Sequence, residues 1–129
     1  MATSTDPQQL VPGPDHPITV LPTDHRVVGR VGDVVVVNTT SALTLQESTY
    51  PAVQYVPLTA IDPALLQPSQ THSYCPYKGE ASYYSLVVPG TGQVLPDAVW
   101  TYQLPYPAVA EIAGHVAFYP DKVGVTVES

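Results

Sequence analysis

A chain of 129 residues is long enough to build one continuous core without disulfide or metal staples, and it is most simply one domain. Eleven acidic residues against four basic ones leave a net charge of -7, which repels phosphate backbones and anionic lipid and excludes nucleic acid and membrane as natural partners. A single cysteine excludes an internal disulfide, no apolar run approaches the roughly 20 residues of a membrane span, and the first residues lack the basic and apolar regions of a leader, so a cytoplasmic protein is expected.

Residues 1–16 are rich in Pro, Gln, Asp and Gly without periodicity and read as a flexible N-terminal tail, leaving 17–129 as a single β-domain. From Pro17 onward, short β-branched or aromatic runs alternate with Pro, Gly, Asn and Asp, which predicts a mainly β fold. The first strands are Ile18 to Leu21, Arg26 to Val31, Val34 to Asn38, Leu43 to Glu47 and Val53 to Val56, with a hairpin turn at Gly32-Asp33. In the fourth of these, Leu43, Leu45 and Glu47 share a face by the period of two, so Glu47 is aimed at the apolar side. Asp62 followed by Pro63 is a helix start, and Pro68 stops that helix after one or two turns. Ala81 to Val88 is apolar or aromatic on both faces, as a central strand would be. Val94 to Leu104 carries Ala98, Trp100, Tyr102 and Leu104 on one face. A helical turn is expected over Ala108 to Ala113, and Val116 to Tyr119 with Val123 to Val127 reads as a closing hairpin around Pro120-Asp121-Lys122.

The segment His72-Ser73-Tyr74-Cys75-Pro76-Tyr77-Lys78-Gly79-Glu80 gathers the only cysteine, one of the four cations and a histidine just before that central strand. Pro and Gly hold such a backbone in a non-repeating conformation, and a lysine near a thiol favours the thiolate. Cys75, Lys78 and Glu47 are therefore the candidate catalytic residues. Glu47 orients Lys78 or moves a proton, and Lys78 holds an anionic or carbonyl group. Tyr50, Tyr55, His72, Tyr83, Trp100 and Tyr102 are the candidate ligand-binding residues, as apolar walls with polar tips suited to a small organic molecule. Each has a plain structural reading too: Cys75 as a small buried hydrophobe, Glu47 and Lys78 as a buried ion pair, the aromatics as core. Arg26 and Arg30 compete with Lys78 for Glu47. The histidines are scattered and the knuckle cysteines of zinc sites are missing, so no metal or other cofactor is expected. The rival to a small-molecule pocket is a protein-interaction or self-association module, monomer or homodimer, in which these residues form a structural network.

The series Leu45-x-Glu47, Tyr50-Pro51, Tyr55-x-Pro57, Cys75-Pro76-x-Lys78-Gly79-x-Ala81-x-Tyr83, Trp100-x-Tyr102 and Val116-Ala117-Phe118-Tyr119 resembles the bacterial family catalogued as domain of unknown function 427, over about residues 17 to 128. The resemblance implies a compact, tent-like fold in which two antiparallel sheets meet at an angle. That family also circulates under a nucleotidyltransferase label. This chain shows neither paired carboxylates for Mg²⁺ nor a Gly-rich phosphate loop, so the label is not carried over.

Overall fold

A computed structural model describes residues 9–128; residues 1–8, the first half of the segment read as a tail, and residue 129 lie outside the described residues. Ten strands follow in chain order: β1 Ile18–Pro22, β2 Arg26–Val31, β3 Val34–Thr39, β4 Leu43–Glu47, β5 Val53–Pro57, β6 Leu66–Cys75, β7 Gly79–Val87, β8 Val94–Thr101, β9 His115–Phe118 and β10 Gly124–Glu128. They form two antiparallel sheets, one of seven strands in the order β1-β4-β5-β9-β8-β7-β6 and one of three in the order β10-β2-β3. The protein is mainly β, as the alternation of short apolar runs with turn residues demands.

The period of two along the strands of the large sheet separates two cores. On one face Val56, Leu86, Val99, Val116 and Phe118 pack against Val27, Val36 and Val37 of the small sheet. On the other, Leu45, Tyr55, Ala81 and Ala117 pack beneath Val109 and Ile112 of a short 3-10 segment, Pro107–Ile112, which realises the expected helical turn. Adjacent residues of β5 and β9 thus serve opposite cores: Tyr55 and Val56, Val116 and Ala117.

The β2–β3 hairpin turns at Gly32, whose φ of 57° is cheap only for glycine, so that part of the reading stands. Three others need correction. The Asp62-Pro63 start yields one 3-10 turn, Pro63–Leu65, with the Asp62 side chain accepting from the Ala64 N–H at 3.0 Å. The chain then extends at once into β6, ten residues long. Polar Gln67 to Ser73 gives no hydrophobic alternation because β6 is the edge of the sheet, and an edge strand with a register shift between Pro68 and His72 tolerates the proline.

The closing hairpin does not form either. β9 inserts between β5 and β8, while Lys122 and Val123 both donate to the Tyr119 carbonyl at 3.0 Å in a tight turn that releases the chain toward the other sheet. There β10 pairs with β2, Arg30 opposite Gly124 and Arg26 opposite Glu128. Lastly, β8 ends at Thr101. Leu104, expected on an apolar face, is 89% exposed because the chain leaves the sheet to pass Gly79, where the Tyr106 N–H donates to the Lys78 carbonyl at 3.0 Å.

Candidate functional site

Glu47 closes β4 on the Leu45 face, looking into the second core. Immediately after it Ser48 adopts φ 49°, a left-handed conformation costly for a non-glycine residue. That reversal is held by the Ser48 N–H on the Pro17 carbonyl at 2.8 Å and the Tyr50 N–H on the Glu47 carbonyl at 3.0 Å. It carries Tyr50 and Pro51 to the mouth of the hollow beside Glu47.

Lys78 is positioned by the hairpin turn between β6 and β7. Its N–H donates to the Cys75 carbonyl at 3.2 Å, its carbonyl accepts from Tyr106, and Gly79 follows at φ 111°. A Cβ at Gly79 would lie 3.4 Å from the Leu104 carbonyl oxygen, so glycine serves both the conformation and the close approach. The side chain so aimed places its ammonium directly on Glu47 Oε1, with the Tyr102 ring centroid 6.0 Å away.

The second carboxylate oxygen is also engaged. His16 Nε2 lies 2.7 Å from Glu47 Oε2, and the imidazole stacks on Tyr77 at 4.1 Å with the edge of Tyr50 at 6.1 Å. Around it the Leu10 N–H donates to the Pro76 carbonyl at 2.8 Å, and Gly13 bridges His16. The described residues before β1 thus lie against the Cys75–Gly79 turn. Side-chain exposure is 13% for Glu47 and 12% for Lys78, low enough for burial to matter. Burial is the largest influence on the Glu47 carboxyl and pushes its pKa up, but the hydrogen bonds and charges of Lys78 and His16 together outweigh it and hold the group below its ordinary value.

The network forms one wall of a pocket of about 240 Å³, whose other walls are Leu45, Tyr50, Pro51, Val53, Tyr55, Tyr83, Trp100, Tyr102 and Tyr119. Trp100 donates its indole N–H to the Tyr55 hydroxyl at 3.2 Å, and Tyr119 packs on Trp100 with centroids 4.7 Å apart. Burial raises the phenol pKa of both Tyr55 and Tyr102, so each is a neutral donor. Among the described residues no fully buried side-chain nitrogen or oxygen lacks a partner, and the Tyr102 hydroxyl has no side-chain or backbone partner among them, so it opens onto the pocket. The remaining N–H bonds of Lys78 can only donate, and the hydroxyls of Tyr55 and Tyr102 can donate beside them.

Of the residues singled out from sequence, Glu47, Lys78, Tyr50, Tyr55, Tyr83, Trp100 and Tyr102 meet at this pocket. Cys75 and His72 do not line it. Cys75 is a free thiol at the end of β6, packed against the second core. His72 is 55% exposed on the edge strand, 3.6 Å from the still more open Glu80. Arg26 and Arg30 stand away on the outer face of the small sheet, bonded to Asn38 at 2.7 Å and Glu128 at 3.1 Å. Among the described residues no three His, Cys, Asp or Glu side chains gather as a metal site would require.

Sequence reasoning missed His16 and Tyr119. Tyr119 was available from the period of two, since it follows Ala117 on the pocket face. His16 had only a long-range signal: Ile18 pairs with Glu47 across β1 and β4, which brings the residues preceding β1 to the carboxylate.

No helix among the described residues is long and apolar enough to cross a membrane. No curated protein matches the chain. The family model described as domain of unknown function (DUF427) matches residues 19–129, which spans both sheets and every residue lining the pocket, and the chain belongs to that family.

Proposed function

We propose that this domain is a cytoplasmic small-molecule site that takes hold of a carbonyl oxygen. The observation that carries the reading is the set of donors at a pocket whose one carboxylate is already engaged at both oxygens. Lys78, Tyr55 and Tyr102 have hydrogens to give, while both oxygens of Glu47 are spent on Lys78 and His16. A ligand that brings an acceptor can satisfy all three at once. An uncharged carbonyl suits this site better than a carboxylate, because Glu47 already neutralises Lys78 and the chain carries -7 overall. Donors converging on a carbonyl oxygen also stabilise negative charge building there, which is the electrostatic half of acid–base chemistry next to a carbonyl.

Within this reading Glu47 is a positioning residue. A carboxylate held below its ordinary pKa and bonded at both oxygens is a weak proton acceptor, but it fixes the lysine ammonium in place. The aromatic walls supply contact area for the rest of the molecule.

Titration with benzamide and with benzoate, followed by ¹H–¹⁵N and side-chain chemical shifts, tests the proposal. Benzamide is expected to move the Trp100 indole, Lys78 and Tyr102 signals together and to bind more tightly than benzoate. Tyr102→Phe removes one hydroxyl that has no partner among the described residues, so it should weaken benzamide while leaving the fold intact. Shifts scattered over the surface, or unchanged affinity in Tyr102→Phe, would defeat the reading.

A further inference from the structure

A second hollow lies against the pocket's aromatic wall. Tyr50, Pro51, Val53 and Trp100 also border this hollow of about 630 Å³, whose far side is Phe118, Pro120, Val125 and Val127. The two compartments differ in chemistry. No charged residue lines the second, and its one amide side chain, Gln54, is occupied by hydrogen bonds with Thr23 and Thr44. It also holds two of the most exposed large apolar side chains described, Tyr50 at 57% and Val127 at 46%.

The backbone explains the opening. β5 and β9 pair only at Val56–Val116 and Pro57–His115, so Val53 and Gln54 lie beyond the end of that ladder. The large sheet splits there, and Trp100 stands at the split with contacts on both sides. A polar-ended compartment and an apolar groove thus lie side by side with one indole in the wall of both.

We infer that the two hollows hold one elongated amphipathic molecule, its carbonyl end at Lys78 and Tyr102 and an unbranched apolar tail lying past Trp100 along Phe118, Val125 and Val127. This assignment of ligand class rests on the carbonyl-binding reading above. Length and apolarity follow from the groove, whose lining is mainly apolar and therefore unfavourable when wet.

Trp100 is the only tryptophan and borders both compartments, so its fluorescence reports occupancy directly. Titration with primary amides from butanamide to decanamide should show affinity rising about fourfold per added methylene, the usual gain for burying one CH₂. Val127→Asp places a charge in the groove. It should flatten this dependence on chain length while leaving butanamide binding as it was, and Ala52→Glu, outside any strand, serves if the first variant folds poorly. Tyr102→Phe should weaken every amide by the same factor.

If butanamide binds in a Tyr102-dependent way but longer amides gain nothing, the tail assignment is wrong and the carbonyl site survives. If no amide binds, or long amides bind regardless of Tyr102, the carbonyl reading falls and takes this inference with it. If light scattering finds a wild-type dimer that Val127→Asp renders monomeric, a second copy of the chain covers the groove and the inference is overturned.

Discussion

Replacing Lys78 by methionine removes the ammonium but keeps a side chain of similar length, and it leaves Glu47, 13% exposed, with His16 as its one remaining side-chain partner. Breaking a buried pair from one side costs about 3–5 kcal/mol. Pocket solvent and the His16 bond place this case at the low end, about 3 kcal/mol, or on the order of 10 °C in Tm for a domain of this size. The cost depends on pH in a definite direction. In the wild type the carboxyl is held below its ordinary 4.5, so the folded state binds protons less readily than the unfolded one. The stability Glu47 contributes is therefore present above about 4.5 and lost as pH falls through the lowered value. In Lys78→Met, burial is opposed by His16 alone and the carboxyl pKa rises. The gap in Tm between the two proteins should then be widest near neutral pH and shrink as acid neutralises the stranded carboxylate. Adding Glu47→Gln to Lys78→Met removes the unpaired charge and should recover most of the loss. Scanning calorimetry of the three proteins at several pH values between 7 and 4 is the assay. A single variant melting within about 2 °C of wild type at pH 7, or a gap indifferent to pH, would refute the coupling of these two residues.

His16→Ala should cost about 2 kcal/mol in urea unfolding, as expected for a hydrogen bond to a charged group, and deleting residues 1–16 should cost at least as much because the Leu10–Pro76 bond goes as well. Gly79→Ala forces a β-carbon into φ 111° against the Leu104 carbonyl; a loss of about 1–3 kcal/mol in the same assay is expected, and no loss would mean the turn relaxes freely. Ultraviolet titration of the nine tyrosines should remain incomplete at pH 11. Burial first, and then the Tyr83 hydroxyl, push Tyr119 up to about 12, while burial raises Tyr55 and Tyr102 as well. A full step near pH 10 would contradict this packing.

Much of the strand framework was legible because the apolar runs are short, β-branched and bounded by residues with a turn mechanism, and because each face of the large sheet has its own core to fill. Glu47 could be placed by parity alone: two positions after Leu45, it must share that face. Lys78 was visible by rarity and by the Pro and Gly around it. What stayed hidden was set by pairing across long sequence distance. β6 carries no periodic signal, since an edge strand answers to only one neighbour and to water. β10 has the pattern of a hairpin arm, yet it pairs with a strand nearly a hundred residues earlier, and nothing local distinguishes the two partners. His16 sits in a run whose composition resembles a tail and becomes part of the site only because β1 pairs with β4. Cys75 is the opposite case: its uniqueness invited a chemical role beside the plain reading of a small hydrophobe, and its side chain packs against the apolar core without lining the pocket.

The narrow joint between β5 and β9 also has a mechanical consequence. It makes the large sheet two panels, β1-β4-β5 and β8-β7-β6, joined through the short β9, which meets each of them at two residue pairs. Glu47, Tyr50 and Tyr55 belong to the first panel, and Lys78, Trp100 and Tyr102 to the second. The bond between Lys78 and Glu47 therefore works as a clasp across a hinge line, and its geometry registers any change in the angle between the panels. A molecule seated between them spans the same line, so occupancy should stiffen the joint itself. The backbone amides of Val56 and Val116 are the place to look for that stiffening as slowed hydrogen exchange.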